Sequence, residues 1–113
     1  MTARDALAAS MSEDQLQRSV QERATIHGWR WHHETDSRRS NPGLPDLVMV
    51  HPVQRRIAFW ELKRQSPRAK TTDEQRAWLE AAAAAGAEAA VIRPLDLLDG
   101  TVDAMLAQRP NTL

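Results

Sequence analysis

Gly43-Leu44-Pro45-Asp46-Leu47-Val48-Met49-Val50, followed after a polar turn by Ile57-Ala58-Phe59-Trp60-Glu61-Leu62-Lys63, decides the fold of this chain. Pro45 can open a strand but lacks the amide hydrogen an interior ladder position needs, so the first run starts after it and Asp46 stands at the strand mouth. His51 to Arg56 is long enough for a hairpin loop, and the second run is β-branched and aromatic with no breaker. Two adjacent antiparallel strands are the simplest pairing. Side chains alternate along a strand, which sends Glu61 and Lys63 to one face and Leu62 to the other.

If these strands pair, Asp46 and Glu61 come within reach of one hard divalent cation, for which oxygen ligands suit Mg²⁺ or Mn²⁺. Lys63 then points at the same place. A metal held by two carboxylates beside an ammonium is equipment for hydrolysing a phosphodiester: the metal polarises the phosphate and activates water, and the lysine positions or stabilises the attack. Each residue has a plainer reading, because Asp is a common turn residue and Glu-Leu-Lys a common solvated strand ending. The surroundings favour a site, since this strand is otherwise apolar on both faces and charges on a buried strand need a partner or a metal.

With Gly43-x-Pro45-Asp46, Glu61-x-Lys63 and Gln75 at a helix start, the chain resembles the PD-(D/E)XK nuclease superfamily and, within it, the virus-type replication and repair nuclease (VRR-NUC) domain. The likeness extends to Ser12-Glu13 with Gln17 and Val20, Gly28-Trp29, His33, Ser37-Arg38, Thr72-x-x-Gln75, Trp78-Leu79, Gly86 and Arg93-Pro94. It covers roughly residues 12 to 98, far more than a lone short motif. The resemblance implies an α/β restriction-endonuclease-like core, a mixed β-sheet flanked by helices. It also implies a Leu62 carbonyl that adds an oxygen to the metal, and Glu13 as an auxiliary carboxylate at the mouth of the site, supported by Gln17. Small stand-alone phage and bacterial members of the family look like homodimers acting on branched DNA such as four-way (Holliday) junctions, which would place this chain in a bacterial or phage-infected cytoplasm.

The 113 residues suit one small domain, expected to occupy residues 12–113 behind an N-terminal tail of residues 1–11. No apolar run approaches bilayer length, and the start shows neither a signal peptide nor a lipidation motif, so a soluble protein without membrane attachment is expected. Cysteine is absent, which excludes disulfides and thiolate metal sites and fits a reducing cytoplasm. Net charge is zero, yet Arg38 to Arg76 holds nine basic and four acidic residues, an excess of five positive charges that the rest of the chain offsets. Two of those four acids are the proposed metal ligands, so this region would look still more basic to a phosphate backbone.

Ser12 and Gln15 form a capping-box pattern opening a helix from Glu13 to about Ile26, stopped at Gly28. Leu16, Val20 and Ala24 make one stripe, with Glu13 and Gln17 inside it and Glu22 on a solvated flank. A helix-start acid such as Glu13 also simply complements the dipole. Residues 1–11 should fray or form a short helix. Trp29 to His33 alternates like a strand, with both tryptophans expected in the core; His32 and His33 point to opposite faces and cannot readily chelate together, and His33 reads as a structural histidine or one facing a substrate channel.

Glu34 to Leu44 is a loop by composition, and its Ser37, Arg38 and Arg39 are suited to holding DNA phosphates or are ordinary surface charge on a connector. Arg64 to Thr71 is a second basic loop, in which Arg64, Arg68 and Lys70 would bind DNA. Thr72 and Gln75 cap another helix, ending at Gly86, with Gln75, Trp78, Leu79 and Ala82 on one face. Gln75 at that helix start can touch the lysine or a phosphate, or serve only the cap. Glu88 to Ile92 reads as a strand closed by Pro94, reached by a crossover, with short helices after it. No Gly-rich phosphate loop is present, so no nucleotide cofactor is expected.

The reading is a metal-dependent DNA endonuclease with Asp46, Glu61, Lys63, Gln75 and Glu13 at its catalytic site. The alternatives are an inactive nucleic-acid-binding module of the same fold, against which the intact acids and lysine argue, and an interaction protein whose charged stripe packs on a partner. RNA as a substrate stays open.

Overall fold

Where the hairpin sequence leads, the chain follows: β2 (Leu47–His51) and β3 (Arg56–Leu62) pair antiparallel, with Leu47 opposite Trp60 and Val50 opposite Ile57. A computed structural model describes residues 1–34 and 42–107 of this chain. β1 (Arg30–His33) adds antiparallel to β2, and β4 (Glu88–Ile92) adds parallel to β3, giving a four-stranded mixed sheet in the order β1-β2-β3-β4. The parallel pair needs a crossover, supplied by α3 (Asp73–Ala84). The α/β fold class expected from the sequence is the one found.

Alternation divides the sheet. Leu47, Met49, Ala58, Trp60, Leu62 and Ile92 point to one face, where α2 (Glu13–Ile26) lays its Leu16–Val20–Ala24 stripe and α5 (Thr101–Ala107) adds Val102 and Leu106. These side chains are the core, each fully buried aliphatic contributing roughly 1.5–3 kcal/mol relative to exposure. Asp46, Val48, Val50, Ile57, Phe59 and Glu61 take the other face, which α3 covers over β3 and β4. α1 (Ala3–Ser10) realises the short-helix option for the N-terminal residues; it buries Ala8 and packs against α4 (Pro94–Leu98).

The helix caps are those the sequence signals. Ser12 and Gln15 exchange hydrogen bonds at the start of α2, and Thr72 and Gln75 do the same for α3. Gly28 ends α2 with φ +90°, a conformation L side chains rarely adopt. The neighbouring His51 Nε2 donates to the His27 carbonyl while its Nδ1 accepts from the Gln54 amide, a pairing that requires the proton on Nε2.

One core assignment is corrected. Trp29 is buried, but Trp31 is 40% exposed. Alternation does place Trp31 on the helix-covered face, opposite Met49. β1 is an edge strand, however, so the ring reaches past the sheet to α2's last turn, where its indole N–H donates to Thr25 Oγ1 at 3.0 Å.

Candidate active site

Continuing the β2–β3 register by one residue puts Asp46 opposite Glu61, on the same face, at the end of the sheet. The two lock each other. The Asp46 amide donates to Glu61 Oε1 at 3.2 Å, and the Leu62 amide donates to Asp46 Oδ2 at 2.8 Å. The second Glu61 oxygen, Oε2, accepts from Gln75 Nε2 at 2.8 Å and lies 3.2 Å from Lys63 Nζ. Asp46, Glu61, Lys63 and Gln75, four residues singled out in the sequence, thus form one hydrogen-bonded cluster.

Its electrostatics are those of an anion pair short of cations. Glu61 is 2% exposed. Burial and the nearby Asp46 push its carboxyl up to about 7, against the pull of Lys63. Glu13 stands at the solvent rim where α2 begins; partial desolvation and Asp46 raise its pKa, while Lys63 and Arg64 pull it down. Glu13 is thus near enough to feel the charges of Asp46, Lys63 and Arg64, without a hydrogen bond to them. Gln17 is half-buried one turn further along.

Two carboxylates with one ammonium leave room for a further cation. Among the described residues no three His, Asp or Glu side chains gather closely enough to hold a metal by themselves. The backbone supplies another oxygen. Because the Lys63 amide donates to the Ile92 carbonyl, toward β4, the Leu62 carbonyl of the same trans peptide points the opposite way, to the β2 side where Asp46 lies. Two carboxylates, one carbonyl and open positions fit a hard cation that keeps several waters.

Gly43 fixes this site in a way its sequence context does not disclose. Its φ is +82°, and a Cβ there would lie 2.4 Å from the backbone carbon of Glu74 in the first turn of α3. The loop leading to Asp46 therefore rests directly on the turn that presents Gln75. Arg64, Arg68 and Lys70 are exposed on the segment after Lys63. Ser37, Arg38 and Arg39 lie outside the described residues. His33 is half-buried on β1, opposite Leu47.

Sequence reasoning noted Arg93 only as a family-like position and Arg56 only as part of the basic region; it missed that the Arg93 guanidinium binds three carbonyls of the 64–70 segment and that Arg56 is buried against Glu88 and the end of α5. For Arg56 a signal existed: a charged residue opening an otherwise apolar strand needs a partner, and Glu88 opens the neighbouring one.

Comparison with solved structures finds a chain described as "VRR_NUC domain", with TM-score 0.63 and 25% identity, covering 80% of this chain and 94% of the other. A second, "VRR_NUC domain protein", has TM-score 0.56 and 18% identity, covers 81% and 85%, and speaks for the fold alone. The comparison with curated proteins returns no match. The family model of the VRR-NUC domain matches residues 5–94, a span that takes in Glu13, Asp46, Glu61, Lys63 and Gln75. The chain belongs to the VRR-NUC family of nuclease domains.

Proposed function

We propose that this protein is a divalent-metal-dependent DNA endonuclease that hydrolyses phosphodiester bonds at the Asp46–Glu61–Lys63 site. The observation carrying the reading is the half-buried Asp46 bound through its amide to the buried Glu61 carboxylate and through its own carboxylate to the Leu62 amide, with Lys63 3.2 Å from Glu61. Family membership implies a nuclease-type domain that engages nucleic acid.

Asp46, Glu61 and the Leu62 carbonyl would hold Mg²⁺ or Mn²⁺. When bound, the ion supplies Lewis-acid polarisation of the phosphate and a lowered pKa for a water. The protein does the rest. Lys63 orients the attacking water and stabilises charge as it develops on the phosphate. Gln75 holds Glu61 Oε2, so one carboxylate oxygen is fixed in direction while the pair waits for its cation. Glu13 adds a third carboxylate at the mouth. Arg64, Arg68 and Lys70 grip the DNA backbone, a role that Ser37, Arg38 and Arg39 would share on sequence grounds alone.

Branched DNA, four-way junctions in particular, is the proposed substrate and a homodimer the working unit. A chain this short has little surface with which to read a long sequence alone. An exposed apolar strip supports pairing: Val50 and Ile57 are cross-strand neighbours on the sheet face and are 40% and 51% exposed. Among the described residues no helix is long and apolar enough to cross a membrane. Incubation of labelled four-way junction, flap, linear duplex DNA and RNA with Mg²⁺ or Mn²⁺ tests the reading. Metal-dependent cutting of the junction is expected, and binding without cutting in either metal would reduce the protein to an inactive binding module.

A further inference from the structure

We infer that Arg93 is a positioning residue for the DNA grip: its guanidinium folds the basic segment after Lys63 into the shape that presents Arg64, Arg68 and Lys70 to phosphates. The inference rests on the nuclease reading above. Arg93 stands one residue beyond β4, beside the point where the Lys63 amide binds Ile92. Its Nη1 donates to the Arg64 carbonyl at 2.6 Å and to the Ser66 carbonyl at 3.5 Å, and its Nη2 donates to the Ala69 carbonyl at 2.7 Å.

These acceptors lie 24 to 29 residues away in sequence and converge on one planar fork from a loop with no strand or helix of its own. A second tie runs the same way, from the Leu95 amide to Gln65 Oε1 at 3.0 Å. The loop's internal bonds, Arg68 N to Ser66 Oγ and Ala69 N to the Ser66 carbonyl, complete a compact turn around the guanidinium.

The charge is conserved in this arrangement. Arg93 spends its donors on neutral carbonyls, and among the described residues no carboxylate forms an ion pair with Arg93, Arg68 or Lys70. Three exposed cations are thereby held in fixed relation to Lys63, and through it to the scissile phosphate. An unanchored loop would still carry them but would lose conformational entropy on each binding event.

The test is DNA affinity as a function of salt, read by fluorescence anisotropy with Ca²⁺ as the divalent ion, alongside steady-state cleavage with Mg²⁺. Each duplex phosphate contact contributes about 0.9 to the slope of log K against log salt. Arg93→Ala should lower that slope by about 2 and weaken binding on the order of 10-fold, raising KM while kcat changes far less. Arg93→Lys, with one nitrogen in place of a fork, should recover only part of the slope. In an Arg64→Ala/Arg68→Ala/Lys70→Ala background, adding Arg93→Ala should change the slope no further. An unchanged slope with a lowered Tm in Arg93→Ala would make its role structural only. A loss near 1 that Arg93→Lys fully restores would make Arg93 itself a phosphate contact; either result overturns the inference. Absence of DNA binding by the unmutated protein would instead remove the nuclease reading on which it rests.

Discussion

Lys63 and Gln75 touch the same oxygen of Glu61 but do different work, and single substitutions should separate them. In the proposed mechanism Lys63→Ala removes the charge that faces the reacting phosphate and should lower kcat roughly 10²–10³-fold with DNA affinity nearly intact. Gln75→Ala frees Glu61 without removing a ligand, and a loss of roughly 10–100-fold is expected, visible as weaker Mg²⁺ or Mn²⁺ activation. Glu61 also gives the apoprotein a pH dependence. Its folded pKa is raised above the ordinary 4.5 to about 7, so the native state holds the proton more tightly than the unfolded chain. The sign follows: stability is full below about pH 4.5 and falls as pH rises through 7, by roughly 1–3 kcal/mol. Melting temperatures between pH 5 and 8 in EDTA should therefore drop more for the unmutated protein than for Glu61→Gln, and Mg²⁺ should restore the difference at pH 8. Equal slopes in the two proteins would show that Glu61 is not the strained group.

At the scale of elements, what was legible is what local chemistry writes into the chain. Pro45 marks where β2 can begin, alternation places Glu61 and Lys63 together, and two capping boxes start α2 and α3 at Glu13 and Asp73. Trp31 shows the limit: alternation tells which face a side chain takes, not what covers that face, and an edge strand leaves it half in solvent. Gly43 shows another. Its need for φ +82° is readable from a Pro-Gly turn, but its contact with Glu74 joins segments 31 residues apart and exists only in three dimensions. Gly43→Ala should cost about 1–3 kcal/mol and lower activity by more than the lost stability explains, because it parts Asp46 from Gln75. Thermal melts and cleavage rates measured together check this. The Arg56–Glu88 pair, at 2.6 and 2.7 Å, joins β3 to β4 while the same guanidinium donates to the Met105 carbonyl and lies 4.7 Å from the Trp29 ring. Arg56→Ala should therefore destabilise by roughly 3–5 kcal/mol, leaving Glu88 unpaired and α5 loosened, in chemical denaturation.

For the whole molecule, the sheet divides its labour by face. One face is closed by α2 and α5 over the core; the other carries the acids at its end and, further along, an apolar strip that α3 does not cover. This is a small scaffold in which Asp46, Glu61 and Lys63 sit at one end of one hairpin, met there by Gln75 from α3, with basic segments before and after the hairpin in sequence. The homodimer belongs to this scale: light scattering at micromolar concentration should give twice the mass of one chain, and Ile57→Asp should shift it toward the monomer. A monomer that cuts junctions at full rate would contradict the dimer without touching the site.

The most direct measurement pairs binding with cutting on one labelled four-way junction, for the unmutated protein and Lys63→Ala, with Mg²⁺ or Mn²⁺ and with EDTA. The account predicts that both proteins bind, that Lys63→Ala cuts roughly 10²–10³-fold more slowly than the unmutated protein, and that EDTA abolishes the cutting. Cleavage of the junction, or of any other DNA, at an undiminished rate in Lys63→Ala or in EDTA would contradict it.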